Sequence, residues 1–328
     1  MLCISISPGC IAHNSPPTLS SSDFIQALEA RDLERLRNIP KTDLHNHGSL
    51  GFPIEVLRAR TPDPIPDAPY LMPTFQDFLE YLKILQPHLY THDGFIASIR
   101  DTLAMAAQDS VTELEISIDC QVVPEFDSVD DIVTVLKTLF DAVPQVKVRP
   151  EVGINREWDA QRLEAWVMPL IDTGFFAAID LYGNELFGEP EEFVQCYDLA
   201  RGKGMRLKAH AGEYRDATFV RHSVEVLELD EVQHGIAAVQ SQEVMRWLAD
   251  NEIRLNVCPT SNLRLARIPS IAEHPLRQLA DAGIPVTINT DDLLVFGQSV
   301  SDEYLNLFNA GVFSAQELDE IRAGSFRD

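Results

Sequence analysis

Eight short apolar runs, set apart by helix-length segments, govern what this chain can fold into. Strand candidates fall at 112–118, 146–154, 177–181, 206–212, 231–234, 254–257 and 285–290, with an earlier one after Ile39-Pro40. Helical spacing of apolar residues occupies 129–142, 157–171, 190–203, 217–228, 241–251 and 273–282. A strand followed by a helix and another strand implies a parallel sheet, because the crossover must return the chain to the same end. Eight such units predict a closed (β/α)8 TIM barrel. An open doubly wound sheet is the alternative, but no Gly-x-Gly-x-x-Gly follows the first strand, which weakens a dinucleotide-binding reading.

Ahead of the barrel, 23–37 reads as one short helix that Ile39-Pro40 stops. Residues 1–22, with Pro8, Pro16, Pro17 and a serine cluster, read as a disordered lead-in, and no basic stretch followed by a clean apolar run suggests a signal peptide. That leaves 23–328 as a single barrel domain. The first strand-to-strand connection is long: a Pro- and Asp-rich loop at 61–70, then helical patterns at 74–85 and 93–108. Such an insertion is large enough to form a lid over the barrel mouth.

The charge balance narrows the partners. Twenty-six basic against 51 acidic residues give a net charge of −25. This surface repels nucleic-acid backbones and anionic membranes, so a small-molecule partner is expected, with no nucleic acid and no membrane. No apolar run approaches the ~18 residues of a membrane span. Five scattered cysteines without a Cys-x-x-Cys read as reduced thiols of a cytoplasmic protein.

Active sites of such barrels form where the C-terminal strand ends converge. Here those ends carry His45 and His47, Asp180 and Asn184, His210 and Glu213, His234, and Asp291 and Asp292. On a strand, His45 and His47 point to one face. Three imidazoles and one carboxylate (His45, His47, His210 and Asp291) suit Zn2+ or another first-row divalent ion. A metal so held makes hydroxide available near neutral pH. Glu213, three residues past His210, is placed as a proton shuttle, and His234 as a second base or an electrostatic partner. Asp292 follows a proposed ligand where the chain is already turning, so both carboxylates can reach the mouth.

These residues also stand in recognisable runs. His45-Asn46-His47, His210-Ala211-Gly212-Glu213, Gln233-His234-Gly235, Cys258-Pro259-Thr260-Ser261-Asn262 and Asn289-Thr290-Asp291-Asp292 resemble the successive motifs of the adenosine deaminase family, within the amidohydrolase superfamily. The segment 180–185 is similar to that family's strand-4 segment, and 72–89 resembles its lid helix. The likeness covers roughly 38–326 in consistent order. It implies one zinc ion per chain on His45, His47, His210 and Asp291, and hydrolytic loss of ammonia from an aminated purine. It further implies Glu213 as proton donor to the ring nitrogen beside the attacked carbon, and His234 as the group that orients and helps deprotonate the water. Asp292 and the backbone of Gly183 would contact other ring nitrogens. The family's acidic residue after His-x-His is replaced by Ser49, and its strand-2 arginine motif by the run 115–119, so Ser49 and Ser117 are the expected determinants of substrate.

Two other readings stay open: a metal-dependent hydrolase of another aminated heterocycle, amide or ester, and a non-catalytic zinc-stabilised binding protein. Several residues read as structural. Cys258-Pro259 packs at the end of strand 7, His274-Pro275 opens a helix, and Phe75, Phe78, Leu79 and Leu82 pack a helix face.

Overall fold

The computed structural model describes residues 21–326. The expected lead-in falls almost wholly outside them. Eight parallel strands follow in sequence order around one sheet: β1 Lys41–His47, β2 Val111–Asp119, β3 Lys147–Asn155, β4 Ala178–Tyr182, β5 Arg206–Ala211, β6 Glu231–His234, β7 Arg254–Val257 and β8 Val286–Ile288. A parallel bridge between Asn46 and Asp291 joins the two edges, with Asp291 N–H donating to His45 O at 2.9 Å. Side chains cross the same seam: Leu44 N–H donates to Asn289 Oδ1 at 2.8 Å, and Asp43 accepts from both the amide and the hydroxyl of Thr290. The (β/α)8 barrel is thus the one that the alternation predicts.

Strands with near-continuous apolar runs are covered on the outside by helices, as parallel sheets require. The helices Val129–Asp141, Val194–Gly202, Ala217–Leu227 and Gln242–Asp250 press one stripe of Leu, Val, Ile and Tyr onto the strands. Each such buried aliphatic side chain contributes about 1.5–3 kcal/mol. The final helices Val300–Asn309 and Ala315–Ser325 pack with Ser21–Ala30, where Phe24 meets Tyr304 edge-on at 5.2 Å.

Two local departures have physical causes. The expected helix over 23–37 is two, Ser21–Ala30 and Leu33–Arg37, because Arg31 takes a positive φ and Asp32 caps the second by accepting from Arg35 N–H. Strand β8 is three residues rather than six, because its C-terminal continuation becomes the seam and the mouth. The long first connection contains the helices Ile54–Arg60, Phe75–Leu89 and His92–Gln108. Phe75–Leu89 starts at a capping box between Thr74 and Asp77, and its Phe78, Tyr81 and Leu85 join Phe52, Leu57, Leu265 and Phe296 in a second apolar cluster above the strands.

Candidate active site

The strand ends meet at the mouth as the barrel geometry demands. His45 and His47 of β1, His210 of β5 and Asp291 after β8 bring their ligand atoms within 4.8 Å of one another. His45 Nε2 lies 3.0 Å from His210 Nε2, and His47 Nε2 lies 3.3 Å from Asp291 Oδ1. The far side of two rings is already engaged. His45 Nδ1 sits 3.0 Å from the carbonyl of Asn256, which can only accept, and His210 Nδ1 sits 3.2 Å from Asp180 Oδ1. Both Nδ1 atoms therefore carry the hydrogen, and both Nε2 atoms turn lone pairs toward each other. Lone pairs 3.0 Å apart, beside a carboxylate, suit a cation between them. Three imidazole nitrogens and one carboxylate oxygen are also the donor set a first-row divalent ion takes. The residues present fit a metal.

Backbone strain marks the same place. His234 and Asp291 hold φ values of 63° and 61°, in the left-handed region that side-chain-bearing residues seldom adopt. At Asp291 this turn breaks the strand alternation, so Asp291 and Asp292 both line the mouth. Gly212, at φ 77°, performs the same turn after His210; a Cβ there would collide with Val220. The turn carries Glu213 back over the site. Glu185 then fixes that loop, its carboxylate accepting from the amides of Glu213, Tyr214 and Arg215 at 3.1, 3.0 and 2.9 Å.

Glu213 lies 3.6 Å from His234 Nε2, which is in turn 3.7 Å from Asp291 Oδ2. Burial pushes the Glu213 carboxyl well above its ordinary value, and the nearby Asp291 and Glu185 push the same way. Burial and the adjacent Asp291 raise Asp292 as well. Burial holds the His234 imidazole neutral.

A cavity open to solvent stands over these groups, concave and lined by both polar and apolar side chains as small-molecule sites are. Ser49, Ser117, Asp119, Gln121, Tyr182 and Gly183 line its polar side. Phe75, Phe78, Leu79 and Leu82 line its apolar side, so these four serve the cavity as well as helix packing. The hydroxyls of Ser49 and Ser117 and Oδ1 of Asp292 are buried without a hydrogen-bond partner among the described residues. No lysine or arginine appears among the described residues that line this cavity.

The match of known proteins to this chain is broad. The family model described as adenosine deaminase matches residues 60–328. The chain belongs to the adenosine deaminase family. A Treponema pallidum relative, provisionally named an adenosine/adenine deaminase, is 33% identical over 300 residues, covering 89% of this chain and 99% of its own. The adenine deaminase of Albidiferax ferrireducens is 31% identical, covering 89% of each. Among solved structures, the adenine deaminase of Arthrobacter aurescens superposes with a TM-score of 0.76 at 26% identity, over 88% of this chain and 94% of that one. An amidohydrolase of Burkholderia ambifaria, crystallised with bound Zn, shares the fold with a TM-score of 0.75 at 23% identity, over 89% of this chain and 87% of that one.

Ten residues were singled out from the sequence of this family member as ligands, catalytic groups or substrate contacts, and the barrel gathers all ten at one mouth. Sequence reasoning gave no part in the site's chemistry to Asn256, Asn262 or His274. The Pro-Thr-Ser-Asn run and the His-Pro pair were visible, but nothing in a linear chain shows that they face each other. It also missed the ion cluster beneath the site, where Lys208 Nζ meets Glu115, Glu151 and the Leu44 carbonyl.

Proposed function

We propose that this chain is a zinc-dependent aminohydrolase that releases ammonia from an aminated purine base or nucleoside. The observation that carries the reading is the single mouth at which a complete donor set for a divalent ion lies beside a buried, proton-holding carboxyl. His45, His47, His210 and Asp291 would hold the ion. When bound, such an ion lowers the pKa of water toward neutrality.

The remaining steps fall to the chain's own groups. Water adds to the amino-bearing ring carbon and gives up one proton, and the adjacent ring nitrogen takes a proton from Glu213. The carbon–nitrogen bond breaks as the amino group takes the added hydroxyl's proton and leaves as ammonia. The proton first given up by the water restores Glu213. Glu213 suits this part: a carboxyl kept protonated near neutral pH by burial is a general acid, and a positioned acid or base contributes about 10²–10⁴-fold. His234 orients the attacking oxygen through Nε2, which lies between Glu213 and Asp291. The unpartnered Oδ1 of Asp292 and the backbone of Gly183, at φ 100°, are offered to other ring nitrogens. Ser49 and Ser117 meet the rest of the substrate. The helix Phe75–Leu89 acts as a lid that excludes water. The lining offers no lysine or arginine among the described residues to answer a phosphate, which favours a neutral base or nucleoside over a nucleotide.

Ammonia release by zinc-loaded protein tests this. Adenine, adenosine, AMP and their N6-methylated forms make the panel, with Glu213→Gln as control. Release is expected from a base or nucleoside, and Glu213→Gln is expected to lose at least about a hundredfold in kcat with its metal retained. Silence across the panel with one metal bound per chain would overturn the purine reading. Full activity of Glu213→Gln would overturn the assignment of the acid.

A further inference from the structure

A buried line of hydrogen bonds runs into the active site from behind, and its direction is fixed at one end. The helix Leu276–Asp281 begins after His274-Pro275, and the amide of Leu276 is one of the first-turn N–H groups without an intrahelical partner. It donates to His274 Nδ1 at 2.9 Å. A backbone amide can only donate, so Nδ1 holds a lone pair and the hydrogen of the neutral ring sits on Nε2. Burial holds that ring neutral, its pKa lowered to about 3. Nε2 lies 3.2 Å from Asn262 Oδ1, which accepts. The orientation of an amide is otherwise ambiguous, but here the opposite one would set N–H against N–H. The two hydrogens of Asn262 Nδ2 therefore point the other way. One faces His234 Nδ1 at 3.2 Å and the other Glu213 Oε1 at 3.3 Å. His274, Asn262 and His234 are all almost fully buried, so water does not compete for these contacts.

We propose that His274 and Asn262 are positioning residues that set the tautomer of His234 and the proton-bearing oxygen of Glu213. Because His234 Nδ1 accepts, its Nε2 carries the hydrogen. That N–H faces the gap between Glu213 and Asp291. His234 thus meets an attacking oxygen as a hydrogen-bond donor, and Nε2 is not free to take a proton from it. The helping base expected from sequence becomes an orienting donor. Because Glu213 Oε1 accepts from Asn262, the acidic hydrogen belongs on Oε2. One amide sets both groups, and its own direction is set by a helix start that touches neither. This inference rests on the reading of His234 and Glu213 as reaction-site groups.

The test is 15N spectroscopy of the metal-loaded full chain carrying 15N-labelled histidine, with His234→Asn identifying the His234 signals. A hydrogen on Nε2 and none on Nδ1 is expected. In Asn262→Asp, whose carboxylate only accepts, Nδ1 is expected to gain a hydrogen. The kcat of that variant should fall about a hundredfold, the size of a lost positioned donor, with KM changed about twofold at most. His274→Gln keeps an N–H for Asn262 Oδ1 and should retain more of kcat than His274→Leu. A wild-type hydrogen on Nδ1, or an Asn262→Asp spectrum like the wild type, would overturn the proposal. The wild-type spectrum decides the direction even if a variant does not fold. The predicted tautomer in a protein that releases no ammonia from any purine would sink the deaminase reading and leave the relay standing. Ammonia release with the opposite tautomer would sink the relay alone.

Discussion

Two buried polar clusters are stacked inside the barrel, and they differ in one respect. Lys208 and His210 are two residues apart on β5 and share its inward face, so their layers lie about 7 Å apart. In the lower layer Lys208 meets Glu115 and Glu151, with Glu231 3.8 Å away, and Glu231 accepts from Asn256 at 2.9 Å. Its charges answer one another. In the upper layer lone pairs and carboxylates face the same small space, and two residues hold a left-handed backbone to put them there. The lower cluster is complete within the chain; the upper one is arranged for something added. Polar groups that satisfy each other support a fold, whereas polar groups aimed at a shared gap support chemistry.

The strongest way to break this comparison is to open the lower cluster. Lys208→Met removes the buried cation shared by Glu115 and Glu151 and should cost about 3–5 kcal/mol of stability in denaturant unfolding, while any protein that folds still binds one metal. Unchanged stability with lost metal would reverse the roles assigned to the two layers. A smaller effect is expected above. Chelation should lower the thermal midpoint, and re-addition of zinc at a hundred times its Kd should restore about 2.7 kcal/mol. A midpoint indifferent to chelation would mean that the upper donors need no ion. The smallest effect, taken over a single pH unit, concerns a buried carboxyl outside both clusters. Glu303 accepts from the Thr260 amide, and burial pushes it up to about 8 from an ordinary 4.5. The folded chain then holds a proton that the unfolded chain releases, so stability falls as pH rises through that window, by at most about 1.4 kcal/mol per pH unit. Glu303→Gln should flatten the slope; an unchanged slope would assign it to other groups.

What the sequence determined by itself follows from periodicity. Apolar spacing changes between strand and helix, so the order of the eight units was legible, and with it the convergence of His45, His47, His210 and Asp291, residues up to 246 positions apart. A strand end fixes where a side chain emerges whatever its neighbours are. Turn residues were less legible. The break at Arg31 and the short β8 depend on local backbone angles that propensity alone does not set. What only the tertiary structure decided is which way hydrogens point. Glu185 grips the loop of Glu213 from 28 residues away, Lys208 finds its carboxylates on other strands, and the His274–Asn262–His234 line takes its direction from one amide at the start of a helix. A hydrogen bond's polarity belongs to the pair of groups in contact, and no linear pattern contains that pair until the barrel has closed.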